Sequence, residues 1–98
     1  MNTVINKHRD IIKAAVDTYG HDAQLKQLFE EMAELQVVLL HQQRGRADRA
    51  QVVSEIADVL IMLEQLQDML EITDAELGRA IRLKLTRLDK RLNGKESA

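Results

Sequence analysis

Apolar residues along this chain recur at helical spacing in four stretches divided by short polar breaks. In the first, from about Thr3 to Thr18, Val4, Ile5, Ile11, Ile12, Ala15 and Val16 gather near one side of a predicted helix, and Gly20 supplies a stop. In the second, from near Asp22 to about Arg44, Leu25, Leu28, Met32, Leu35 and Leu39 alternate steps of three and four, and Gly45 ends the stripe. The third opens at Asp48, whose carboxylate is placed to accept from early amides while the Gln51 side chain reaches back. Its stripe is Val52, Ile56, Val59, Leu63, Leu66 and Leu70. The fourth opens at Thr73 with Glu76 three residues on, runs through Leu77, Ile81, Leu85, Leu88 and Leu92, and stops at Asn93-Gly94. Short breaks predict that consecutive helices lie antiparallel. The expected architecture is all-α, a compact antiparallel helical bundle of about four helices. It forms one domain over 1–98, with 92–98 as a frayed tail, and oligomerisation is expected to cover apolar stripes that one chain cannot.

Composition narrows this picture. The absence of proline and the presence of only four glycines leave too little turn chemistry for an all-β fold. The absence of cysteine excludes disulfides and thiolate metal sites. A net charge of −2 with interleaved signs argues against polymeric nucleic acid as a partner. No apolar run approaches the ~20 residues of a membrane span. Asn2 and Thr3 begin no apolar signal core, so a cytoplasmic location is expected. Met32, Met62 and Met69 read as core filler, Tyr19 as packing at a helix end, and His21 as a turn histidine.

Two acidic motifs then stand out. The second helix carries Glu31-Met32-Ala33-Glu34 and the third Glu55-Ile56-Ala57-Asp58, each placing two carboxylates on one helix face. Most such pairs are solvated surface acids. Glu55 differs, because at ~100° per residue it lies about 20° from Leu66, about 20° from Met62 and about 40° from Val59. A carboxylate in that apolar arc is costly without a compensating cation or donors. If the two helices pack antiparallel, the four carboxylates converge, and their repulsion calls for a hard divalent cation such as magnesium. A di-iron centre needs Glu-x-x-His motifs, and none of His8, His21 or His41 follows a glutamate at that spacing.

The stretch Gln24-Leu25-Lys26-Gln27-Leu28-Phe29-Glu30-Glu31-Met32-Ala33-Glu34-Leu35 resembles the first motif of MazG-like all-α nucleoside triphosphate pyrophosphohydrolases. Glu55-Ile56-Ala57-Asp58-Val59-Leu60-Ile61-Met62-Leu63 resembles the second, and Lys84-Leu85-Thr86-Arg87 with Arg91 is similar to the basic segment that follows. The resemblance spans about Gly20 to Leu92. It implies Mg2+, with Mn2+ as a substitute, held by Glu31, Glu34, Glu55 and Asp58. It also implies cleavage of a (deoxy)nucleoside triphosphate between the α and β phosphates, in a homodimer or homotetramer whose subunits complete one another's sites. Glu34 and Glu55 are then the catalytic carboxylates, with Glu34, offset toward solvent, the candidate general base. Lys84 and Arg87, with Lys26 and Gln24, are candidate contacts to the substrate, and Glu30 and Arg91 would support them. The bland alternative for these cations is a solvated face that offsets the helix dipole.

Two other readings compete. A phosphoribosyl-ATP pyrophosphohydrolase resembles this chain in architecture, but its members carry Tyr-His after the acidic Asp, where Asp58 here precedes Val59-Leu60-Ile61-Met62. All-α dUTP pyrophosphatases are longer chains. A helical oligomerisation or adaptor protein explains the stripes and caps but leaves Glu55 in the apolar arc without a reason.

Overall fold

A computed structural model describes residues 3–94 of the chain. All regular structure among them is helical: α1 (Thr3–Lys7), α2 (Arg9–Tyr19), α3 (His21–Gln43), α4 (Arg49–Met69) and α5 (Asp74–Leu92). The expected tail at 92–98 falls mostly outside the described residues, which end at Gly94.

The first predicted helix is two helices. His8 interrupts it, because its Nδ1 lies 2.9 Å from the Val4 carbonyl oxygen, the acceptor its own N–H would use in a continuous helix. That N–H turns to Ile5 at 3.0 Å instead, and the ladder restarts with Ile11 and Ile12 on the His8 carbonyl. The other boundaries follow local chemistry. Gly45, at φ 69°, lets α3 end with Arg46 donating back to His41 and Gly45 to Gln42, so the last carbonyls are satisfied. The Asp48–Gln51 box at the start of α4 closes in both directions at 2.9 Å. At α5 the Thr73 hydroxyl accepts from the Glu76 amide at 3.1 Å. α4 ends in the same kind of turn as α3, but its left-handed position is Glu71, at φ 55°.

Side-chain pairs fix how the helices lie. Gln24 pairs with Gln65 and Glu31 lies beside Asp58, so numbering rises on α3 as it falls on α4. The two long helices are therefore antiparallel and form the body of the fold. Arg9 bonds Glu64 at 3.1 Å and Lys13 bonds Asp68 at 3.2 Å, a constant offset that runs α2 parallel to α4. Ile12, Val16, Leu28 and Met62 are the buried apolar residues of this three-helix body.

The interior is partly polar. Gln24, Glu64, Gln65 and Gln67 are all buried. Each has a partner, as burial demands: Gln24 donates to Gln65 at 2.6 Å, Glu64 accepts from Arg9, and Gln67 donates to Asp74 at 2.7 Å. α5 meets the body only through its first turns. Leu77 and Ile81 face Leu60, Leu63 and Leu66 of α4 across an apolar cleft of about 280 Å³. No residue of α5 is buried, and its expected core positions Leu85, Leu88 and Leu92 stand in solvent. Met32 and Tyr19 are corrected likewise: both are exposed, while Met62 is buried as expected. Met32 is 41% exposed on α3, and Tyr19, the last residue of α2, is 67% exposed.

Candidate metal centre

The middle of the α3–α4 pair turns from apolar to acidic. Each helix contributes from its inner edge, and the antiparallel register sets Glu31 and Glu34 of α3 against Glu55 and Asp58 of α4. One carboxylate oxygen from each of Glu31, Glu34 and Glu55 lies within 4.8 Å of the others. Glu34 is exposed, whereas Glu31, Glu55 and Asp58 are half-buried. Asp58 stands outside this triad and abuts Glu31.

Two oxygens decide what the cluster needs. Glu31 Oε1 accepts from Gln27 Nε2 at 2.7 Å, but Glu31 Oε2 and Glu55 Oε2 are buried with no hydrogen-bond partner. An orphaned buried acceptor costs about 1–3 kcal/mol, and more if it is charged. Burial raises the Glu31 carboxyl above its ordinary value of 4.5; the Gln27 bond lowers it, and the charges of Glu34 and Asp58 together with a hydrogen bond to Asp58 raise it. Ionised, Glu31 and Asp58 repel and neither can donate. Protonated, Glu31 donates to Asp58. A divalent cation relieves the same conflict without a proton, and an all-oxygen donor set of carboxylates suits magnesium, calcium or manganese rather than a soft metal.

The other residues singled out from the sequence fall elsewhere. Gln24 is buried, and its amide nitrogen is committed to Gln65. Lys26 and Glu30 are exposed on α3, and Lys84, Arg87 and Arg91 are exposed on α5, none in an ion pair with another described residue. Gln27 and Gln65 matter more than sequence reasoning allowed. Gln27 lies one turn before Glu31, the spacing at which an amide can hold a carboxylate. Gln65 lies seven residues, two turns, beyond Asp58 on the same inner face. Polar Glu64, Gln65 and Gln67 within an aliphatic stretch were the visible signal.

Comparison with protein-family models, with curated proteins and with solved structures finds no match for this chain.

Proposed function

We propose that this chain hydrolyses a (deoxy)nucleoside triphosphate between the α and β phosphates, with Glu31, Glu34, Glu55 and Asp58 holding divalent magnesium. The observation that carries the reading is the pair of buried, unpartnered oxygens on Glu31 and Glu55 inside a knot of carboxylates. A surface cluster of acids would turn its oxygens to water; this one keeps two of them dry and unmet. The motifs that bear these residues resemble those of MazG-like pyrophosphohydrolases, which supplies the substrate class.

Each residue then has a task set by its surroundings. Gln27 fixes Glu31 through Oε1 and leaves Oε2 free to face the cation. Glu55 is held in its apolar arc, so its free oxygen points where no other donor competes. Glu34, the exposed member, borders solvent and is placed to take a proton from an attacking water. Asp58 adds negative charge beside Glu31 and so strengthens the demand for a cation. Bound magnesium would supply Lewis acidity and positive charge toward the phosphate oxygens. The chain's own contribution is mostly positioning and electrostatics, as in other phosphoryl transfers.

Pyrophosphate release from a panel of ribo- and deoxynucleoside triphosphates with magnesium, run beside Glu55→Gln, tests the proposal. Metal-dependent monophosphate formation is expected, with the variant at least ~100-fold slower because a ligand is lost. Equal rates in the two proteins would remove Glu55 from the site. No turnover of any nucleotide, with no magnesium-induced rise in melting temperature, would leave a helical interaction protein as the better reading.

A further inference from the structure

Exposed apolar residues of α4 match those of α5 in order and spacing. Their register is set beside the turn between the helices, where Gln67 donates to Asp74 at 2.7 Å. Two helices that run opposite ways and rise equally per residue keep a constant sum of residue numbers. Carried from Gln67 and Asp74, that register sets Leu60 against Ile81, Ile56 against Leu85 and Val53 against Leu88. Leu60 and Ile81 already share the apolar cleft of about 280 Å³. The other four side chains are exposed. The helices packed side by side are α3 on α4, α2 on α4 and α2 on α3, and α5 is not among them. It starts along α4 in register and then stands away.

The base of α5 is held while its far end is not. Asp74 accepts from Gln67 and lies 3.8 Å from the Arg9 guanidinium. The link before it, 70–73, is short and passes through Glu71 at φ 55°.

Closing that gap would carry charge to the acidic cluster. At ~100° per residue, Lys84 lies about 60° and Arg87 about 120° from Ile81, in the same rotational sense, and Glu55 lies about 100° from Ile56 in that sense too. On facing antiparallel helices, rotations of like sign fall on one side of the pair. The register puts Lys84 level with Ala57 and Arg87 level with Ser54, so the two cations bracket Glu55 along the axis.

We propose that α5 is a lid that pivots about the 70–73 turn and closes on α4 of its own chain, laying Leu85 on Ile56 and Leu88 on Val53 and bringing Lys84 and Arg87 beside Glu55. Standing open, neither cation is in an ion pair with another described residue. Closed, both reach the edge of the carboxylate cluster, where they can grip the phosphates of a metal-bound triphosphate. That use rests on the proposed hydrolysis; the closing movement does not.

Disulfide trapping tests it, since the chain has no cysteine of its own. Val53→Cys with Leu88→Cys, both at exposed positions, should leave far-UV circular dichroism unchanged when reduced. Oxidised at low micromolar concentration, it should give an intrachain disulfide that runs at 11.2 kDa in denaturing electrophoresis. It should form at least ~10-fold faster than in Val53→Cys with Leu92→Cys, which is ~6 Å out of register. In chelator, adding Lys84→Glu and Arg87→Glu should slow trapping about tenfold at low salt and much less at high salt. Disulfides between chains, or equal rates for the two cysteine pairs, would overturn the lid. Charge reversal without effect would overturn the placement of Lys84 and Arg87 beside Glu55. Inorganic tripolyphosphate with magnesium should speed trapping over magnesium alone only while Lys84 and Arg87 are intact. Normal trapping in chelator with no such acceleration would count against the hydrolysis reading and in favour of a lid that serves another ligand.

Discussion

Replacing Glu31 with glutamine should make the metal-free protein more stable and the metal-loaded protein less so. Glu31 Oε2 is buried without a partner, Asp58 abuts it, and Glu34 and Glu55 crowd the same point. Glu31→Gln keeps the shape, removes one of the mutually repelling charges, and provides an amide that can both accept from Gln27 and donate to Asp58. Relieving one orphaned acceptor is worth about 1–3 kcal/mol. Taking the low end, because Glu31 is only half-buried, gives about 1 kcal/mol, or a rise in Tm of roughly 4–8 °C for a domain of this size. With magnesium the order reverses. A ligand that binds only the folded state stabilises by about 2.7 kcal/mol at a hundredfold excess over its Kd, and the variant forfeits most of that. The assay is thermal unfolding by circular dichroism at one fixed protein concentration, first with chelator and then with saturating magnesium. A variant that melts at or below the wild-type temperature in chelator would show that the carboxylates are not in conflict. Equal magnesium shifts in both proteins would show that Glu31 holds no cation.

The raised Glu31 carboxyl makes metal-free stability depend on pH. The folded state binds more protons than the unfolded one between the ordinary value of 4.5 and the raised value, so this contribution is fully present below 4.5 and is lost as pH rises through the folded value. Chelated wild type should therefore gain stability on acidification through that window relative to Glu31→Gln; identical pH profiles of chemical unfolding would contradict it. Arg9→Ala strips buried Glu64 of its ion pair and should cost about 2 kcal/mol in urea unfolding, below the ~3–5 of a fully buried pair because Arg9 is partly exposed; a cost near zero would mean water replaces the guanidinium. Glu71→Gly relieves a non-glycine residue at φ 55° and should stabilise by about 1 kcal/mol, read as a higher urea midpoint with unchanged slope.

Local chemistry made most of the secondary structure legible. Gly45, the Asp48–Gln51 box and Thr73 act within a few residues, so their consequences are written in neighbouring side chains and appear where expected. The split at His8 and the turn at Glu71 were not legible, since neither position carries glycine, asparagine or proline. The acidic motifs were visible as spacing, and Glu55 as a charge in an apolar arc. That Glu31, Glu34 and Glu55 share a point, with Asp58 against Glu31 rather than in the triad, required the α3–α4 register.

By itself, then, the sequence determined helices, their caps and the faces that carry carboxylates, because periodicity and capping are short-range. Only the tertiary structure decided which faces are used. Periodicity marks a stripe as apolar but does not say what covers it. In α3 and α4 the antiparallel pairing leaves Leu28 and Met62 buried and Leu25 and Phe29 exposed. In α5 a sound amphipathic pattern remains in solvent beyond Ile81. Burial is a property of two surfaces meeting, and a one-dimensional pattern records only one of them.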